Sequence, residues 1–321
     1  MSPAAPGALR CFLGFLLSAC AATAFAQGEA IRLVLPFGPG SGTDVYARLV
    51  AQQLSLGYGS PVVVENRPGA NGVVAAVSVA RAKPDGTTFF FTTNSTHAAN
   101  PHLVKDLNYD PVRDFVPVTK AGTLTFFVMV AASGPHQDLK SLIATAKADP
   151  KAVSYGAQNS LAIVSGSKLA KVGGVEFLRV PYKSTPQVIT DMLGGQVTFG
   201  FVDMAAGTPL VKAGKLRPIA VLGDKRFPAL PNVPTMSEAG FPDFDVVAWF
   251  GIFAPAGTAP GIVARMNKEF HAVVAQPETR QKAAELGIDM FASTPEELAA
   301  YVRSQIALWA KLAADAGLKP E

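Results

Sequence analysis

Phe37-Gly38-Pro39-Gly40-Ser41-Gly42-Thr43-Asp44 is a glycine-spaced loop carrying two hydroxyls and one carboxylate. Such a loop suits anion binding. Glycines let a ligand approach the backbone, and a helix starting directly after the loop aims its free N–H groups and the positive end of its dipole into it. A plain tight turn is the other use of these glycines. Asn94, Ser95, Thr96 and His97 form a second cluster of short donors, suited to a carboxylate or to water bound to one. The alternative for them is capping of the next helix. Asp44 is expected to anchor its own loop by accepting backbone N–H bonds and not to touch an anion. Three further groups follow expected strand ends: Gln158, Asn159 and Ser160, then Lys183, Ser184 and Thr185, then Asp203. Each could serve instead as turn or cap.

Signatures of catalysis are missing around these residues. Ser41 has Pro39 and Thr43 two places away and makes no nucleophile elbow. Gly38, Gly40 and Gly42 do not have dinucleotide-binding spacing, and no glycine loop ends in Gly-Lys-Ser/Thr. His97, His102, His136 and His271 are scattered, so neither a metal nor a cofactor is expected.

The elements that must position the loops can be read from periodicity. Ile31, Leu33, Val34, Leu35 and Phe37 predict a buried strand, and Thr43 or Asp44 is the expected N-cap of a helix with Val45, Leu49, Val50 and Leu54 on one side. Strand 61–65, helix 71–83 and strand 87–93 follow, an alternation that implies a doubly wound sheet with ligands beyond the strand ends. The apolar run 124–132 predicts one long strand leaving this unit. A second α/β set then covers 138–222, and 246–254 reads as a crossing strand that returns. Helices over 260–274, 279–286 and 295–315 have no strand set of their own and should pack on the first unit. The expected fold class is α/β: two doubly wound lobes joined by two crossing strands, a hinged clamshell.

Composition agrees with a compact globular domain. Of 321 residues, 49% are hydrophobic and 16% charged, which excludes a disordered chain. Arg10, an apolar stretch 11–17 and Ala24-Phe25-Ala26 read as a signal peptide over 1–26, although Leu17-Ser18-Ala19-Cys20 also fits a lipobox with Cys20 lipidated. Both cysteines, Cys11 and Cys20, fall in that leader, so disulfides are not expected to hold the fold. A net charge of +4 without basic clusters argues against nucleic acid.

Arg32-Leu33-Val34-Leu35-Pro36-Phe37 through Asp44, Val64-Glu65-Asn66-Arg67-Pro68-Gly69-Ala70 and Pro84-Asp85-Gly86 resemble the periplasmic solute-binding receptors of tripartite tricarboxylate transporters, the Bug family. Val180-Pro181-Tyr182-Lys183, 191–197, 213–217 and 253–258 extend the resemblance over nearly the whole chain. It implies a monomeric periplasmic-binding-protein clamshell with lobe 1 at 27–124 and 250–321 and lobe 2 at 125–249. It also implies a small carboxylate held by neutral donors and ordered water, and delivery to membrane transporter subunits. Ser41, Asn159-Ser160, Val164 and Ser184 depart from the family's habit, and with them the identity of the acid is open. A ligand sensor docking on a signalling partner, or an exported carboxylate-processing enzyme, are the alternatives for the same fold.

Overall fold

The computed structural model describes residues 29–244 and 246–321. The expected leader and its two alternative processing sites lie outside the described residues. In chain order the strands are β1 Ile31–Leu35, β2 Val62–Asn66, β3 Thr88–Thr93, β4 Phe115–Leu124, β5 Phe126–Ala131, β6 Ser154–Ala157, β7 Leu178–Pro181, β8 Phe199–Asp203, β9 Leu216–Val221, β10 Ala248–Pro255 and β11 Ile288–Asp289. The helices are α1 Gly42–Tyr58, α2 Val73–Ala80, α3 Asn100–Leu103, α4 Leu139–Ala148, α5 Ser160–Gly173, α6 Thr185–Leu193, α7 Met204–Lys212, α8 Pro260–Val274, α9 Pro277–Glu285 and α10 Pro295–Asp315.

Two sheets result. The first runs β11-β4-β10-β3-β1-β2, with β1 parallel to β2 and β3, and β10 antiparallel to β3 and β4. The second runs β7-β6-β8-β5-β9, with β6 parallel to β7 and β8, and β5 antiparallel to β8 and β9. Both are built around the same reversal. From β1 the chain goes out to β2 and returns to β3 on the other side of β1; from β6 it goes out to β7 and returns to β8. At such a reversal successive loops part, leaving a crevice at the strand ends. The loops that part here are those after β1 and β3, and after β6 and β8.

Every residue of β3 is buried, as expected for a central strand covered on both faces. Tyr46 on α1 packs against Phe91 and Phe250 and donates its hydroxyl to the Ala121 carbonyl at 2.6 Å, tying the helix to the sheet. The last helix is seated on the same lobe, with the Trp249 indole N–H donating to Gln305 at 3.2 Å. Thr294 and Glu297 close a capping box at its start.

The expected single strand over 124–132 is two strands in different sheets. Thr125 alone separates them: its N–H donates to the Gly287 carbonyl at 3.1 Å, and its own carbonyl accepts from Met204 at 3.3 Å. Strand β4, which precedes that apolar run, is a ten-residue member of the first sheet. Among the described residues no helix is long and apolar enough to cross a membrane.

Candidate functional site

The β1 loop turns into α1 at Ser41, not at Thr43 or Asp44 as expected. Ser41 is extended (φ −69°, ψ 156°), and its hydroxyl accepts the Asp44 N–H at 3.3 Å. Asp44 is committed elsewhere. Its carboxylate accepts the Gly40 N–H at 3.0 Å and the Asn66 amide at 2.9 Å, and pairs with Arg48 at 2.9 Å. Gly40, at φ +78°, supplies the left-handed turn that this bond closes. Burial pushes the Asp44 carboxyl up, but Arg48, the Gly40 N–H and Asn66 together hold it below the ordinary aspartate range.

On the facing lobe three more helices begin at the cleft. Asn159 caps α5, its amide oxygen accepting the Ala162 N–H at 2.8 Å. Ser184 precedes α6 without making a side-chain cap. Asp203 caps α7 by accepting the Ala206 N–H at 2.9 Å. With α1 these make four helix starts around one space, each favouring an anion by roughly 0.3–1 kcal/mol.

That space is a cavity of about 20 Å³ lined by polar groups of Ser41, Thr43, Asn94, Ser95, Asn159, Thr185 and Asp203, the Gly42 backbone, and apolar walls from Phe37, Leu124, Phe126, Leu161, Ala248 and Phe250. Among the described residues no Lys, Arg or His lines it. The lobes touch at its edge. The Ser160 N–H donates to the Ser95 hydroxyl at 3.3 Å, and the Asn71 amide donates to the Ser160 hydroxyl at 2.6 Å. A larger recess of about 750 Å³ opens beside this contact, with Asn71, Gln158, Tyr182, Lys183, Gln187 and Asp191 in its walls.

The expected residues therefore separate into groups. Phe37, Ser41, Gly42, Thr43, Asn94, Ser95, Asn159, Thr185 and Asp203 line the inner cavity, while Gln158 and the exposed Lys183 stand at the recess. Gly38 and Ser184 face each other across the cleft, where a Cβ on Gly38 would lie 3.2 Å from that of Ser184. Gly40 is exposed and faces Pro186 instead of the cavity.

His97 departs from expectation. It is fully buried, stacks on Phe253 at 3.8 Å between ring centroids, and has Phe90 and Phe115 as further neighbours. Desolvation pushes its pKa down to about 3, so it is a neutral core residue. The reason is the wide π-helical turn Ser95–Ala99, which keeps Ser95 at the cavity and rotates His97 into the core.

Asn71 escapes sequence reasoning, which takes it for an ordinary helix residue. It sits in the left-handed region at φ 50°, which asparagine tolerates, and also donates to Asn100 at 2.7 Å. An Asn close to glycines on both sides, Gly69 and Gly72, is the available signal. Asn66, which holds the first loop through Phe37 and Asp44, is visible in the sequence only as part of a family motif.

Residues 46–318 match the tripartite tricarboxylate transporter family receptor. The chain belongs to this family. The receptor is 31% identical over 292 residues to the protein BugT of Bordetella pertussis, covering 90% of this chain and 90% of that protein. Two solved structures superpose at a TM-score of 0.87. One is Rpa4515 of R. palustris with adipate (35% identity; 91% of this chain, 98% of that one). The other is the periplasmic binding protein BugD (31% identity; 91% and 99%). The receptor is accordingly a periplasmic solute-binding protein with the two-lobed α/β clamshell, and not an enzyme.

Proposed function

We propose that the receptor captures a small organic acid between its lobes, holds the carboxylate on main-chain N–H groups at helix starts, and presents it to the membrane subunits of a tripartite tricarboxylate-type transporter. Four helices begin at one cavity whose described walls carry no cationic side chain, and this observation carries the reading. Backbone dipoles attract an anion without the desolvation cost of a buried, unpaired Arg, and release it more readily. The solved relative with adipate supports the acid class.

In this reading residues 27–124 and 250–321 form one lobe and 125–249 the other, except that Ala248 and Trp249, which open β10 in the first sheet, go with the first lobe; Thr125 is at the hinge. The leader is removed after Ala26, which leaves the receptor free instead of tethered through Cys20. The inner cavity takes the carboxylate, and the recess around Gln158 and Lys183 takes the rest of the acid once the lobes part.

Native mass spectrometry of the mature chain, then a thermal-shift screen of dicarboxylates, tricarboxylates, acidic amino acids and aromatic acids, tests this. An acid at about 100 times its Kd adds roughly 2.7 kcal/mol to stability, a readable shift. One acid bound one-to-one and recovered unchanged is the expected result. No shift with any acid would refute the reading.

A further inference from the structure

Asp203 holds a carboxylate at the place where the proposed function puts the ligand's. It is 1% exposed; one oxygen accepts the Ala206 N–H at 2.9 Å and the other the Thr185 hydroxyl at 3.1 Å. The same carboxylate reaches the opposite lobe, where it lies against the Gly42 backbone at the first position of α1, whose N–H draws on its charge. The approach is close, since a Cβ on Gly42 would lie 2.3 Å from Oδ1. The starts of α1, α6 and α7 thus converge on one side chain.

Among the described residues no cation balances it. Asp44, in the first turn of α1, is held by Gly40, Asn66 and Arg48. Lys183, ahead of α6, is exposed at the recess. The remainder of β8 and the first turn of α7 carry no charged residue. Burial pushes the Asp203 carboxyl up, while the Ala206 N–H, Thr185 and the Gly42 N–H pull it down, and burial prevails.

We propose that Asp203 couples capture of the acid to uptake of one proton, and thereby sets the charge state of the acid that the cleft accepts. The inference rests on reading the cleft as a carboxylate site. A ligand carboxylate brought to the start of α1 meets Asp203 at donors the two must share, in a desolvated cavity without a cation. Two carboxylates so placed do not both remain ionised. One proton comes from the bulk buffer and is kept between them as an O–H···O⁻ bond; no covalent bond breaks. Because the bound state holds the extra proton, affinity falls as pH rises, by up to tenfold per pH unit.

Titration calorimetry of the mature receptor with adipate, malate, citrate and benzoate, at pH 7.5 in phosphate and in Tris, reads the proton count directly. The expected result is uptake of about one proton per acid in the wild type, with Kd rising several-fold per unit between pH 6 and 8. Asp203→Asn, which keeps an equally good N-cap, should show no uptake and a flat Kd. Binding by the wild type without proton uptake, or uptake retained in the Asn variant, would overturn the proposal even though the carboxylate site stood. Failure of these four and of every other acid in the thermal-shift screen to bind would overturn both. The wild-type measurement stands alone should the variant fold poorly.

Discussion

Placing an alanine at position 42 should leave each lobe folded while keeping the two apart. Gly42 is not among the glycines with positive φ, so α1 accepts an alanine there, with a local gain of up to about 1 kcal/mol. The new methyl would sit 2.3 Å from Asp203 Oδ1 and 2.7 Å from its Cγ, and Asp203 cannot swing aside without leaving Ala206 and Thr185. Relief to ordinary contact, ~3.5 Å, requires the lobes to separate by about 1 Å. Two hydrogen bonds at the cleft, from Asn71 to Ser160 and from Ser160 to Ser95, then lengthen together. At about 1 kcal/mol each they sum to roughly 2 kcal/mol, a fall of about thirtyfold in the closed population. Titration calorimetry with the acid found by the screen should show Kd raised by about that factor, while the thermal midpoint without acid stays within a few degrees of wild type. An alanine variant that binds within threefold of wild type would show that the Gly42–Asp203 approach does not belong to the ligand-holding arrangement.

Two further expectations concern pH. His97 titrates near 6.5 when unfolded but near 3 when buried. Its contribution is therefore complete above about pH 6.5 and is lost as pH falls towards 3, by up to about 1.4 kcal/mol per unit; urea unfolding at pH 7 and pH 5 should show a smaller acid loss for His97→Gln than for wild type. Asp44 has a lever of the same sign at lower pH, since its folded pKa is depressed as well. Asp44→Asn should cost about 2 kcal/mol at pH 7, and the gap should narrow as pH falls from the unfolded value of 3.8 through the folded one; denaturation midpoints at pH 7 and pH 3 measure it.

Much of this arrangement is legible in the amino-acid sequence. The boundaries of α8 and α10 follow from Pro260 and Pro295 opening apolar-periodic runs, and β1, β3 and the loops after them follow from the stop of each apolar run at Gly or Asn. What escapes is set by partners distant in the chain. Thr125 lies inside an otherwise apolar stretch, and only its bonds to Gly287 and Met204 mark it as the change of sheet. His97 has the residue type of a site and sits at a strand end; Phe90, Phe115 and Phe253, from three separate strands, place it in the core. Asp203 is recognisable as a cap, but its contact with Gly42 spans two lobes and leaves no trace in local spacing.

The four helix starts bear on how such a receptor can diversify. A main-chain N–H is present whatever the side chain, proline excepted, so point mutation in the loops rarely deletes the anchor for the acid group. The side chains beside it that cap no helix, Ser184 in the cleft and the exposed Lys183 at the recess, are free to change one at a time. Duplicated copies of the gene could therefore drift towards different cargoes without passing through a form that binds no acid at all.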